Sequence, residues 1–570
     1  MQMKLWICMV LVFAVSYAQA QMSNIQSFDI IIDEVMADPT PTVGLPAVEW
    51  IEIKNISQHP IDVLGCRIAK ANALSGPLSS YVLQPDSFLL ICSSGSLAVM
   101  SPIGPAKSVT NFPSLANEQD LVVLISPEGS TIHAVGYSDD WYQNELKKQG
   151  GWSLEMMDIN NPCTGSENWS ASCHPNGGTP GSINSIDAMN IDEVSPKLLR
   201  AVATDSLHID LYFNEPLDSL EASNVNHFVI DNNIGVPLRS TPMSPMFQKI
   251  ALQLPVPLLR NTIYQVLTNG ITDCVANEIG VFNHAKLALH ETTDSFDVVI
   301  NEILFNPKPD GADYIELYNR SHKPINLKQL YLANLNSMYE IDNITALSSN
   351  DVVVFPGDYV VLTSSVAATK RSYLCKYPEN ILYVDNLPSF NDDDGTAILI
   401  NAAGNIIDRV SYDADWHFSL IENAEGIALE RLHPNGNSQD KHNWHSAAYT
   451  AGYGTPGYVN SQRSSDANDG EVSVSPKLVT PNNDGIDDFA TIQYQFSNPG
   501  NVASIVIFDA NGRKIKQLQQ TVLCGNSGAF NWDGLDDNNK KPPPGIYIIF
   551  TETVNVKGQH HRYKNVVALH

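Results

Sequence analysis

The chain has 570 residues, room at about 100–200 residues per domain for several domains, each long enough to bury a core of its own. Acidic residues outnumber basic ones 62 to 33, a formal net charge of −29, and a field of that sign repels phosphate backbones, which argues against nucleic acid as a partner. The same surplus suits a soluble extracellular protein and offers oxygen ligands to calcium.

In chain order, Lys4, the apolar run from Leu5 to Val15 and the small residues Ala18 and Ala20 spell a secretory signal peptide over residues 1–20, so the mature chain is expected to begin near Gln21. Cys8 lies inside the apolar run without the small residues that precede a lipidated cysteine. No later stretch approaches the ~18–20 apolar residues that span a bilayer, so the mature chain is expected to lack a transmembrane segment and to sit outside the cell or on its surface. Seven cysteines remain without Cys8, and an odd number leaves at least one thiol unpaired within the chain. Cys163 and Cys173 bracket one Gly/Ser-rich loop, where a disulfide needs little chain closure, and they are the expected pair. Cys66 and Cys92 sit in the strand-like runs "DVLGCRIA" and "FLLICSS", where cysteine acts as a small buried hydrophobe.

A repeat then decides the architecture. "FDIIIDEVMADP" (28–39) recurs as "FDVVINEILFNP" (296–307), "EWIEIKNISQHPIDV" (49–63) as "DYIELYNRSHKPINL" (313–327), and "PDSFLLICSS" (85–94) as "PGDYVVLTSS" (356–365). Both copies continue with Ser153-Leu154-Glu155 or Ala428-Leu429-Glu430 and close on Trp169 or Trp444 followed by "GTPG" at 178–181 or 454–457. Self-similarity on this scale means duplicated domains. Ile51 and Ile53 alternate with Trp50, Glu52 and Lys54, as Ile315 and Leu317 do with Tyr314, Glu316 and Tyr318. Such alternation, broken by Pro-Asp, Pro-Gly and Ala-Gly turns and with no amphipathic run of helical length, predicts an all-β fold of tandem Ig-like β-sandwiches.

The ordered set of motifs resembles the lamin tail domain family: the opening strands Ile30 to Val35 and Val298 to Ile303, Glu52 with Asn55, Glu316 with Asn319, the later Leu-Glu, and the closing tryptophan with GTPG. The resemblance implies an Ig-like sandwich used for interaction. Trp169 and Trp444 are expected to plug one end of each sandwich, and the GTPG turns to lead the chain out toward the next domain. Between the copies, "HIDLYFNEPLD" (208–218) and "NTIYQVLTNGITDCVANEI" (261–279) resemble a bacterial Ig-like domain of the surface-layer type through Phe213, Glu215, Asp218, Tyr264, Asp273 and Asn277, which implies a spacer. After the polar linker 461–471, "PNNDGIDD" (481–488) and "FNWDGLDDNNKKPPPGIYIIF" (530–550) resemble the C-terminal Ig-like domains of exported bacterial proteins, including hook-capping and type IX sorting domains, which implies a secretion and attachment signal. The expected division is a signal peptide at 1–20, lamin tail domains at 25–187 and 295–461, a bacterial Ig-like domain at 188–294 and a sorting domain at 472–570.

Candidate chemistry is sparse. Asn482, Asp484, Asp487 and Asp488 gather oxygen donors around Gly485, a candidate calcium site, although the twelve-residue loop with its closing glutamate is missing. Asx turns bonding their own backbone are the competing reading. Asp533, Asp536 and Asp537 form a second group, and Asn391 to Asp394 a third that the first copy does not share. Glu34 with Glu52, and Glu302 with Glu316, are carboxylate pairs of the kind that serves hydrolysis, but their duplication points to a fold-defining role. His442 and His445 have no third ligand in view, and nucleophile-elbow, zinc-protease and phosphate-loop motifs are missing. The expected function is that of a non-catalytic, exported interaction or adhesion protein whose lamin-tail-like sandwiches bind a protein or glycan partner at the cell surface. A secreted metal-dependent hydrolase and a carbohydrate-binding accessory protein are the alternatives, the last using Trp50, Tyr314 and Tyr318 as an aromatic platform.

Overall fold

The computed structural model describes residues 25–464 and 470–570. The expected signal peptide and part of the linker 461–471 lie outside the described residues. By contact the chain divides into two compact units, Met1–Leu258 with Ile263–Leu287, and Leu259–Thr262 with Ala288–His570. Nearly all the regular structure is β, as the alternation and turn signals predict.

The first unit opens with a sandwich. One sheet has six strands in the order 169–171, 154–156, 30–36, 50–55, 88–93, 106–109, and the facing sheet has four, 131–138, 119–125, 67–70, 73–74. Ile32, Ile51, Ile53, Leu89 and Ile91 of the first meet Ile68, Val122, Leu124, Ile132 and Val135 of the second in one apolar cluster. Each such side chain taken from water contributes about 1.5–3 kcal/mol. Trp169, on the edge strand of the six-stranded sheet, is buried in this cluster, 6.1 Å between ring centroids from Trp141. The middle sandwich follows, with strands 198–203, 208–213, 249–253 and 239–242 in one sheet and 228–230, 264–268 and 284–287 in the other.

The second unit repeats the first architecture. Its six-stranded sheet runs 381–383, 359–363, 314–319, 298–304, 429–431, 444–446, its four-stranded sheet 341–346, 330–335, 394–401, 406–413, and Trp444 is buried beside Trp416. In both copies an edge pair of the large sheet is parallel, 88–93 with 106–109 and 359–363 with 381–383. A parallel pair needs a crossover, and the short helices Leu97–Met100 and Val366–Ser372 lie in those two crossovers. The last sandwich joins strands 471–475, 490–495 and 527–532 to a five-stranded sheet ordered 478–479, 560–569, 545–554, 501–509, 514–524.

Three expectations are corrected. Cys163 pairs with Cys274, 111 residues away, and not with Cys173, which is an exposed free thiol. The strand Trp169–Ala171 carries Cys173 to Lys147, whose Nζ lies 3.7 Å from its sulfur, while Cys163 faces the turn of the middle sandwich at a Cα–Cα distance of 6.3 Å, within bonding reach. Second, alternation in Trp50–Asn55 and Tyr314–Asn319 implies one solvent face, yet Trp50, Glu52, Tyr314 and Glu316 are all fully buried. The outer face of the large sheet carries a second apolar cluster of Met36, Trp50, Leu90, Cys92 and Met100, and in the later copy Leu304, Tyr314, Val361, Tyr373 and Ala428. Third, the GTPG segments do not lead outward. They lie back across that outer face, with Gly178, Thr179 and Pro180, and likewise Gly454, Thr455 and Pro456, buried.

Candidate functional site

The repeated carboxylates converge under this strap. Antiparallel pairing sets Glu34 between Glu52 and Glu155, and Glu302 between Glu316 and Glu430, so three adjacent strands each place one glutamate on the outer face of the sheet. A bulge at Asp33, or at Asn301, brings the register to that point in both copies. All six glutamates have 0% exposure.

Strap donors close on them in the same order twice. The Thr179 amide donates to Glu34 Oε1 at 2.8 Å, and the Thr455 amide to Glu302 Oε1 at 2.9 Å. The Gly181 amide reaches Glu52 Oε2 at 2.5 Å, and Gly457 reaches Glu316 Oε2 at 2.6 Å. Further along, Ser185 Oγ donates to Glu155 Oε2, and Ser461 Oγ to Glu430 Oε2, both at 2.8 Å. Two glycines make this approach fit: a Cβ on Gly178 would stand 2.9 Å from Glu34 Oε1, and Gly457 has φ +88°, where other residues are strained. Burial pushes the Glu34 carboxyl up to about 8, the neighbouring Glu155 charge adding to it, and Asp33 up to about 7. Burial likewise raises Glu52, Glu302, Glu316 and Glu430. Sealed and committed to the strap, these groups have no face open to a substrate. Two members of the expected aromatic platform, Trp50 and Tyr314, are buried with them, while the half-buried Tyr318 packs on Tyr359 at 4.8 Å.

The candidate calcium residues do share one turn. Asp488 Oδ1 accepts from the amides of Asn482 and Asn483 at 3.0 and 2.7 Å, its Oδ2 accepts from Gly485 at 2.8 Å, and Asp484 Oδ1 accepts from Ile486 at 2.8 Å. Asp487 contributes its backbone carbonyl to the Thr480 amide. The Gly485 amide leads the hydrogen bonds that hold the Asp488 carboxyl below its ordinary range. An ion there would compete with the turn's own backbone for these oxygens.

A carboxylate group that the motifs do not reveal lies in the first unit. Asp192, Glu215 and Asp273 bring oxygens within 4.8 Å of one another, next to the Cys163–Cys274 bridge. Glu215 and Asp273 stand among the surface-layer-type marks, but Asp192 comes from the irregular stretch before the strand Leu198–Ala203, where no spacing points to it. Each oxygen set already has donors: Thr164 Oγ1 and the Val194 amide to Asp192, Asn214 to Glu215, and the Val275 and Asn277 amides to Asp273.

Comparison with known proteins agrees with this architecture. The Lamin Tail Domain family matches residues 24–139 and 291–414, and the CHU_C Type IX secretion signal domain matches residues 473–569. The chain therefore carries two lamin tail domains and a type IX secretion signal domain, the composition of a protein exported to the cell surface. Among solved structures, the N-terminal part of the bacterial S-layer protein SbsC is 16% identical over 29% of this chain and 45% of its own, with a TM-score of 0.16. The longer rSbsC(31-844) is 10% identical over 66% and 54%, with a TM-score of 0.16. PorZ, a surface component of the type-IX secretion system of Porphyromonas gingivalis, is 8% identical over 92% and 85%, with a TM-score of 0.17. The chain spans about half the length of the two S-layer structures. No curated protein matches it.

Proposed function

We propose that the chain is a non-catalytic surface interaction protein, in which the lamin tail domains at 25–187 and 295–461 bind a protein or glycan partner. In this reading the middle sandwich at 188–294 is a spacer, and the domain at 472–570 directs sorting and attachment. The observation that carries it is the complete burial of the three strap glutamates in both copies, Glu34, Glu52 and Glu155 and likewise Glu302, Glu316 and Glu430, which leaves the outward loops as the working surface. Those loops differ between the copies. Where the first has the short strands Arg67–Lys70 and Ala73–Leu74, the second extends a hairpin, Leu330–Leu335 with Ile341–Ala346, whose tip exposes Met338 and Tyr339 and whose edge strand exposes Ile344. Exposed apolar side chains grouped on an edge strand are a feature of interaction surfaces.

The test applies labelled chain to intact bacterial cells and to a glycan array. Tyr339→Ser with Ile344→Ser is expected to weaken binding at least about tenfold, the loss of roughly 1.4 kcal/mol, with the thermal midpoint unchanged. A hydrolase would instead show turnover that disappears in Glu52→Gln with Glu316→Gln while the fold persists, and that outcome would overturn the proposal.

A further inference from the structure

In each lamin tail domain one strap hydroxyl stands between two glutamates. Thr455 Oγ1 lies 2.7 Å from Glu302 Oε2 and 2.9 Å from Glu430 Oε1. Thr179 Oγ1 lies 3.3 Å from Glu34 Oε2, 3.0 Å from Glu155 Oε1 and 3.3 Å from Asn184 Oδ1. A hydroxyl carries one proton and two lone pairs. It can donate to one carboxylate, and the contact with the other is a hydrogen bond only when that carboxyl brings a proton and donates it to the hydroxyl oxygen. With both glutamates ionised, one of the two contacts would set lone pairs against lone pairs in a dry site.

The remaining oxygens do not relieve this conflict, because their donors are already fixed. Glu302 Oε1 takes the Tyr314 hydroxyl and the Thr455 amide, and Glu430 Oε2 takes Ser461 Oγ and the Gln462 amide. Only the oxygen facing the threonine is left on each. Among the described residues, none of the salt bridges involves any of the six glutamates.

We propose that each lamin tail domain holds one proton shared through the strap threonine between two buried glutamates, and that this proton latches the strap to the sheet. In the first copy the bridge runs Glu34, Thr179, Glu155, and in the second Glu302, Thr455, Glu430. The groups facing the first bridge are Asp33 and Glu52 on the sheet, the Lys54 ammonium acting against them, and Asp187 beyond the strap. Those facing the second are Glu316, Tyr314, Tyr373, Tyr458 and, across the strand pair from Glu430, His445, which burial holds toward its neutral form. The raised positions of Glu34, Glu302 and Glu430 agree with a retained proton.

In the second copy the latch reaches further. Gln462, whose amide rests on Glu430, donates from its side chain to the Cys524 carbonyl at 3.1 Å and accepts from the Gly500 amide at 2.9 Å, so the latched strap also fastens the type IX domain.

A carboxyl whose folded value lies above its unfolded value binds more protons in the folded state. Its contribution is complete below about 4.5, and it is lost as pH rises from there through the folded value, about 8 for Glu34. The test follows unfolding of the purified full chain between pH 5 and pH 9, for the wild type and for Glu34→Gln with Glu302→Gln, in which a fixed amide donor replaces the shared proton. The wild-type folding constant is expected to fall about tenfold per pH unit for each shared proton, and the variant is expected to lose that part of the slope. Parallel slopes would overturn the proposal. Infrared spectroscopy of the wild type supplies a readout that needs no variant: a protonated-carboxyl stretch is expected at pH 7, and its absence there would overturn the proposal equally.

Discussion

In the first lamin tail domain the bulge residue beside the glutamates is Asp33, and in the second it is Asn301. Asn301 Nδ2 donates to Glu316 Oε1 at 2.7 Å, whereas Asp33 Oδ1 and Glu52 Oε1, at the matching places, are buried with no hydrogen-bond partner. The bulge amide differs too. Ile32 donates to the neutral ring of His133, which burial pushes down to about 4, while Ile300 donates to Asp408, which is paired at 3.0 Å with Arg431 where the first copy has Met156. The donor to the central glutamate is Ser153 Oγ in the first copy and the Tyr314 hydroxyl in the second. What stays fixed is the strap and its three carboxyls; what surrounds them is interchangeable, provided each buried polar atom finds a partner. The Asp33 and Glu52 oxygens mark where the first copy falls short of that condition.

The largest expected effect tests whether the two solutions for the bulge amide are equivalent. Asp408 and Arg431 are 3% and 0% exposed at their side chains, and burial raises the Asp408 carboxyl and lowers Arg431 to about 10 despite their pairing. Desolvation thus outweighs attraction on both sides, the regime in which an ion pair adds little over an apolar replacement but is costly to break. Arg431→Met alone leaves Asp408 uncompensated and is expected to cost about 3–5 kcal/mol in urea unfolding. Adding Asp408→His installs the first copy's arrangement and is expected to restore most of that loss at pH 8. A double variant no better than the single one would mean that the two copies are not exchangeable at this position.

Asp33→Asn runs in the opposite direction. It gives the first copy the amide donor that Asn301 provides in the second, satisfies Glu52 Oε1, and removes a carboxyl that burial raises to about 7. The expected result is a gain of about 1–2 kcal/mol at neutral pH. The sign with pH is fixed. Wild-type Asp33 loses its contribution as pH climbs from its unfolded value near 3.8 to about 7, so the advantage of the variant should widen across that range and then level off. An advantage that narrows with rising pH would show that the aspartate is ionised and held by Lys54.

The same comparison explains what could be read from the residues. Isoleucine alternation and the long repeat revealed the sandwiches and their duplication, and two copies of Glu34/Glu52 pointed to a fold-defining role. Alternation says which residues share a face but not what covers that face, so Trp50 and Tyr314 could be taken for an exposed platform. The cover comes from a segment more than a hundred residues further along, and its motif, GTPG, reads locally as an ordinary turn. The cysteine partner and Asp192 were hidden for the same reason, since groups brought together from far apart in the chain leave no local spacing. The acidic turn at 482–488 was legible because its donors and acceptors lie within a few residues of one another.

The smallest effect asks how interchangeable the donors to the central glutamate are. Ser153 Oγ lies 2.5 Å from Glu34 Oε1, and the second copy has Ala428 at that place because the Tyr314 hydroxyl serves instead. Ser153→Ala is expected to cost about 1 kcal/mol, since the Thr179 amide still reaches the same oxygen. Trp50 occupies the position of Tyr314, and its Nε1 has no hydrogen-bond partner. Trp50→Tyr in the Ser153→Ala background should therefore bring a hydroxyl to Glu34 and recover part of the loss, offset by the smaller ring in the cluster with Met36 and Leu90. Calorimetric midpoints of the two variants decide the matter. Recovery means that the glutamate selects for a donor and tolerates its source, whereas a further drop means that packing around the ring, more than the hydrogen bond, determined which residue each copy kept.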